Sequence, residues 1–240
     1  FIDQIKERKI SNSYRLCGIG ESYAEEMILH LYERYPHLNI APYCAPDKVD
    51  YIVSTVDAYE EDLRAFDEEF KEIMKDYYIG DQNTDLATEI VRLLKEKQLK
   101  IATAESCSGG LLSSTLVNVS GASSVFLEGI VTYSYESKLN RLNIDVNRLM
   151  EFGAVSEEIA RDMAFNLEKL TGADITVGVT GIAGPGGGSE LKPVGLVYIA
   201  INICGQIFLK SYIFNGNREK IRQRTVAEAL YWLHYYIKAL

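Results

Sequence analysis

Along residues 13–80 the apolar positions switch between the period of a strand and the period of a helix. "SYRLCGIG" reads as extended, and "ESYAEEMILHLYERYP" sets Ala24, Met27, Ile28 and Leu31 on one helical face. "NIAPYC" and "VDYIVSTVDA" return to extended patterns. A second helical stripe follows in "YEEDLRAFDEEFKEIMK" through Leu63, Phe66, Phe70 and Ile73. The order strand, helix, two strands, helix predicts a small α+β domain over residues 1–80. The turn-rich "IGDQNTD" (79–85) then reads as a linker, with Thr84 placed to cap the helix beginning "DLATEIVRLLKEK".

Beyond residue 80 strands and helices alternate. "LKIATAE", "FLEGIVTYSY" and "DITVGVTG" read as strands. "LLSSTLVNV" and "SEEIARDMAFNLEKL" read as helices, the second capped by Ser156 and closed by Gly172. "VGLVYIAINI" and "QIFLKSYIF" form a hairpin pattern around Cys204-Gly205, and "REKIRQRTVAEALYWLHYYIKAL" is a long final helix. The pattern predicts an α/β fold over residues 81–240, a three-layer α/β/α domain whose late hairpin makes the sheet mixed. In such sheets sites gather at the carboxyl ends of strands, where "AESCSGG" and "GIAGPGGG" both fall.

Composition narrows the function classes. Residues 1–80 carry 9 Lys/Arg against 17 Asp/Glu, net −8 of the chain's −9, which disfavours nucleic acid as a partner of that segment. The four cysteines, Cys17, Cys44, Cys107 and Cys204, form no C-x-x-C pair and read as reduced thiols of a cytoplasmic protein. No apolar run has the length of a membrane helix, and "FIDQIKERKI" lacks a signal core. The absence of an initiator Met leads us to expect part of a longer chain.

"TAESCSGG" (103–110) puts Ser106, Cys107 and Ser108 on a strand-to-helix turn. A nucleophile there would face the backbone N–H groups of the following helix, donors for an oxyanion, with Gly109 and Gly110 allowing close approach. The plainer reading is that Ser108 caps the helix, Cys107 packs in the core and Ser106 bonds a turn. Only His30, His37 and His234 are present, two in the small domain and one in an apolar helix, which disfavours a Ser-His-Asp triad. A serine nucleophile would then need another base. Lys138, following the next strand in "VTYSYESK", is the candidate, its plainer reading being a solvated lysine. No His or Cys pair has zinc-ligand spacing, so no metal is expected.

The loop "TGIAGPGGGSELKPVG" (180–195) holds six glycines and two prolines, suited either to presenting N–H groups to an anion or to simple flexibility. Lys192 adds charge at its far end. Arg218 and Arg222 share a face at the start of the last helix and can hold a phosphate or form a solvated basic face with Arg224.

Taken together, "TAESCSGG", "VTYSYESK", "GAVSEEIARDMA", "VTGIAGPGGGSELKPVGLVYIA" and "GNREKIRQRTVAEAL" resemble, in order and spacing, the competence/damage-inducible protein CinA family. The carboxyl-terminal domain of that family is nicotinamide-mononucleotide deamidase. The match runs over residues 85–240. Residues 13–80, with "RLCGIGES", resemble more weakly the small middle domain, which in full-length members follows a molybdopterin-binding-like domain not found in this sequence. Ser108 stands where the family usually has Thr. The resemblance implies hydrolysis of the mononucleotide carboxamide with Ser106 as nucleophile, Lys138 as base and Tyr133 orienting the pair or stacking on the pyridine. Around the substrate it implies Glu105, Ser108, Gly109, Gly181, Ala183, Gly184, Gly187, Lys192, Arg218 and Arg222. It implies no cofactor or metal, a small-molecule nucleotide as partner with no nucleic acid and no membrane, and a homo-oligomer. The alternatives from other classes are a catalytically silent nucleotide-binding module and a competence-associated scaffold acting through the acidic segment.

Overall fold

The computed structural model describes residues 8–45 and 48–240, so the reading of the opening stretch 1–7 lies outside the described residues. The chain divides into two compact units, residues 1–85 and 86–240.

In the first unit the strands are β1 (Lys9–Leu16), β2 (Asn39–Ala45), β3 (Lys48–Val56) and β4 (Tyr78–Gly80), in the antiparallel order β2-β3-β1-β4. Helices α1 (Glu21–Arg34) and α2 (Glu60–Ile73) bury the stripes read from the sequence, and the core closes around Tyr14, Tyr51, Phe66 and Phe70. Strand β4 was not foreseen, since it is three residues long and its partner lies more than sixty positions upstream. The stretch read as a linker is thereby tied into this unit, with Arg15 also donating to the Thr84 carbonyl at 2.7 Å. Thr84 is not a cap: its hydroxyl donates to Asp81, and the next helix starts at Leu86.

The second unit is a three-layer α/β domain. Its strands are β5 (Ile101–Glu105), β6 (Phe126–Val131), β7 (Ile175–Gly181), β8 (Leu196–Ile203) and β9 (Gln206–Ile213), in the order β6-β5-β7-β8-β9. Strand β5 is parallel to both neighbours, whereas β8 and β9 run antiparallel, which makes the sheet mixed. The chain leaves β5 for β6 on one side and crosses to β7 on the other, so the end of β5 is the switch point of the topology.

The helices are α3 (Leu86–Glu96), α4 (Leu111–Val117), α5 (Tyr135–Leu142), α6 (Val146–Phe152), α7 (Glu157–Thr171) and α8 (Arg218–Ala239). The two faces of β5 meet different layers. Ala102 and Ala104 pack with Leu142 of α5, Leu149 of α6 and Ile159, Met163 and Leu167 of α7. On the other face the Thr103 hydroxyl lies 2.6 Å from that of Ser113 in α4. Helix α7 begins at Ser156, whose hydroxyl accepts the Ile159 N–H, and ends at left-handed Gly172.

Small residues let α7 settle close to the sheet. Thr176 Oγ1 donates to the Ala164 carbonyl at 2.7 Å, and a Cβ on Gly178 would fall 2.4 Å from the Ala160 carbonyl oxygen. That oxygen belongs to helix backbone and cannot rotate away. Gly178→Ala is therefore expected to destabilise the second unit by about 1–3 kcal/mol, the usual cost of overpacking. Urea unfolding checks this, and an unchanged midpoint would contradict the close approach.

Candidate active site

The turn after β5 is shaped by a buried carboxylate and two left-handed glycines. Ser106 continues the ladder, its N–H donating to the Val179 carbonyl at 2.9 Å, and its own carbonyl accepts the Gly109 N–H at 3.1 Å. Gly109 (φ 62°) and Gly110 (φ 87°) then turn the chain into α4 through conformations other residues rarely take. Helix α4 so entered points its amino end at Glu105. The carboxylate accepts the N–H of Gly110 (3.0 Å), Leu112 (3.1 Å) and Ser113 (2.8 Å), and the Ser113 hydroxyl at 2.5 Å. The Glu105 carboxylate occupies the positive end of a helix from below. This corrects two expectations. Ser108 does not cap α4, and the α4 N–H groups bonded to Glu105 are not free to meet an oxyanion. The N–H groups of Cys107 and Ser108 have no backbone acceptor among the described residues and lie against the Cys107 sulfur.

Lys138 arrives from the neighbouring strand end. Ser134 caps α5 by accepting the Ser137 N–H, and Lys138 sits one turn in, where a helical side chain leans back toward the amino end. Its Nζ reaches Ser106 Oγ at 3.1 Å, the Thr132 carbonyl at 2.6 Å and the Tyr133 carbonyl at 3.5 Å. The lysine is fully buried, and no carboxylate pairs with it among the described residues. Burial lowers its pKa from 10.5 to about 8. Its partners are thus two carbonyls and the Ser106 hydroxyl, all neutral oxygens.

The other nucleophile candidates are disengaged. Burial pushes the Cys107 thiol up to about 12, so it stays protonated. Ser108 Oγ is buried without a hydrogen-bond partner. His234 lies in α8, pushed down to about 4 by burial, and the other two histidines belong to the first unit.

Around the pair, the Tyr133 hydroxyl accepts from Arg218 Nη2 at 2.9 Å while Arg218 Nη1 donates to the Gly184 carbonyl at 2.9 Å. One guanidinium thus bridges the end of β6 and the glycine-rich loop. Arg222 donates to the Ser108 carbonyl through Nε (3.2 Å) and Nη2 (2.8 Å), resting against Gly109. Lys192 is drawn elsewhere, its ammonium donating to the Phe152 carbonyl at the end of α6. In the loop, Gly181 and Gly184 are confined by Leu196, Val197 and Val194, Ala183 is buried and Gly187 (φ 86°) is open. The N–H groups of Ala183, Gly184, Gly186, Gly187 and Gly188 have no backbone acceptor among the described residues. The sequence reading gave no role to Ser113, or to Thr132 although it lies within "VTYSYESK". Ser134 was findable as a cap three residues before the Ser137 N–H.

Fold and site together define a three-layer α/β domain with a buried serine–lysine pair at its topological switch. The chain belongs to the CinA family: the family model described as the CinA C-terminal domain matches residues 83–237. Relatives named competence-damage inducible protein include that of Clostridium tetani, 42% identical over 228 residues, and that of Clostridium acetobutylicum, 41% identical over 228 residues. Each alignment covers 93% of this chain and 56% of the relative, so the chain spans about half the length of the curated relatives it matches. Among solved structures, a CinA superfamily protein from Klebsiella pneumoniae is 34% identical with a TM-score of 0.63, covering 65% of this chain and 97% of that one. A competence/damage inducible protein from Agrobacterium tumefaciens is 40% identical with a TM-score of 0.61, covering 62% and 91%.

Removing the acceptor under α4 leaves several donors unpaired in the interior. Glu105→Ala is expected to lower stability by several kcal/mol, at about 1–3 kcal/mol for each orphaned buried group. Thermal unfolding of the variant tests this, and a melting temperature equal to wild type would remove Glu105 from its structural role.

Proposed function

We propose that the second unit hydrolyses the carboxamide of nicotinamide mononucleotide to nicotinic acid mononucleotide and ammonia. The observation that carries this reading is the 3.1 Å contact between Ser106 Oγ and a buried lysine amine with no counter-carboxylate, in a CinA-family domain. Neutral Lys138 takes the Ser106 proton as Oγ bonds to the carboxamide carbon. The carbonyl oxygen becomes an oxyanion facing the N–H groups of Cys107 and Ser108. Lys138 returns the proton to the departing nitrogen, ammonia leaves, and an ester on Ser106 remains. Water then attacks the ester with Lys138 again as base, and Ser106 is released with its proton restored. The pyridinium of the substrate disfavours a second cation beside it and so favours the neutral amine. The arrangement needs no metal.

An ammonia-coupled assay with the mononucleotide is the first test; absence of ammonia release by the folded protein would reject the reading. Ser106→Ala is expected to be inactive and Cys107→Ala active. Because the base must be neutral, kcat/KM should rise with pH to a plateau, with its midpoint near 8, and fall about tenfold per unit below it. Lys138→Arg retains the charge but cannot deprotonate, so it should lose about 10²–10⁴-fold, as Lys138→Ala does. A Lys138→Arg enzyme with substantial activity would make the lysine a mere electrostatic attractor.

The phosphate is read onto Arg218 and the unpaired loop amides at 183–188, because Arg218 already joins that loop to the strand end bearing Tyr133. Arg218→Ala should therefore raise KM for the mononucleotide while leaving the riboside, which has no phosphate, nearly unchanged. Arg222→Ala should lower kcat for both, since Arg222 holds the nucleophile turn at Ser108. Equal losses on both substrates for Arg218→Ala would take the phosphate away from it.

A further inference from the structure

Three buried side-chain polar atoms lack a hydrogen-bond partner among the described residues: Ser108 Oγ, Thr132 Oγ1 and Asn202 Oδ1. Two of the three stand at the serine–lysine pair, where an unpaired buried hydroxyl calls for a reason. Thr132 is the better placed. Its N–H donates to the Glu105 carbonyl at 2.8 Å, extending the parallel β5–β6 ladder so that Thr132 lies beside Ser106, about one strand spacing of 4.8 Å away. Its carbonyl holds Lys138 Nζ at 2.6 Å. The backbone of Thr132 is thus bonded on one side to the strand of the nucleophile and on the other to the base, while its hydroxyl is fully buried and unengaged.

Resting on the serine hydrolysis read for this site, we infer that Thr132 Oγ1 holds the water that hydrolyses the acyl-enzyme. Once Ser106 is esterified it has no hydroxyl proton to offer Lys138. The amine keeps the Thr132 and Tyr133 carbonyls as partners and still lies beside Ser106. The base must now be met there by water, and an ordered water needs two or more polar partners. Thr132 Oγ1 offers one donor and two acceptor positions, none in use. In the step itself the water oxygen bonds to the acyl carbon and its proton passes to Lys138. The carbon–Oγ bond of Ser106 breaks, and Lys138 hands the proton to Ser106 Oγ.

Amides acylate slowly and esters quickly, so the two substrates expose different steps. The test compares wild type, Thr132→Val, Thr132→Ala and Thr132→Ser on nicotinamide mononucleotide and on the ethyl ester of nicotinic acid mononucleotide. Thr132→Val and Thr132→Ala should turn over the ester about tenfold more slowly, the worth of one hydrogen bond, with a burst of ethanol and an acyl adduct in the intact-protein mass. Amide turnover should fall less, and Thr132→Ser should restore the ester rate. Thr132→Val should melt no lower than wild type, because it removes an unpaired hydroxyl while keeping its volume. Equal losses on ester and amide, or an unchanged ester rate without adduct in both hydroxyl-free variants, would overturn the assignment. A wild-type enzyme that releases no ammonia from the amide and no ethanol from the ester would reject the hydrolysis itself, and the assignment with it.

Discussion

The carboxylate of Glu105, buried beneath α4, is the contact on which the serine–lysine edge of the sheet depends. A strand that ends under a helix leaves the first N–H groups of that helix facing the interior, and here one side chain accepts three of them together with the Ser113 hydroxyl. The turn between strand and helix is held from both ends. It is short enough that Ser106 is still in the ladder while Gly109 and Gly110 have already reversed the chain. Arg222 completes the restraint from α8 by binding the carbonyl in the middle of the turn.

The same contact separates charges that would otherwise interfere. A carboxylate free to approach Lys138 would favour the ammonium and remove its capacity to accept a proton. Glu105 is adjacent in sequence to Ser106, yet its oxygens are committed to α4 on the face opposite the Ala102 and Ala104 side chains. Lys138 is left with carbonyls and one hydroxyl, neutral oxygen partners that solvate either protonation state. Elsewhere in the second unit cations are paired openly at the surface, as in Arg148 with Asp162, and those pairs have little influence on the interior.

Much of this architecture was legible in the sequence because it rests on local signals. The alternation of strands and helices, the Ser156 and Gly172 boundaries of α7 and the hairpin around Cys204-Gly205 each follow from spacing or from a residue with a fixed conformational habit. The features missed share a dependence on distant partners. Strand β4 exists because β1 offers an edge, and α5 and α6 are too short for periodicity to stand out. The hydrogen bonds of Glu105 to α4 were not legible because its partners are set by the glycine turn. Lys192, close in sequence to the loop, was placed by the α6 carbonyl it meets in space.

The sheet also sets Cys204 and Ser106 far apart. In the pairing of β7 with β8, Gly181 lies opposite Val197 at one end and Ile175 opposite Ile203 at the other. Cys204, exposed in the hairpin after Ile203, therefore sits at the edge where β7 begins, while Ser106 follows the end of β5 at the opposite edge. The second unit's other thiol, Cys107, is buried and held protonated. Maleimide chemistry in this unit is thereby directed to the hairpin, where a fluorophore or a surface tether can be attached a full strand length from Ser106.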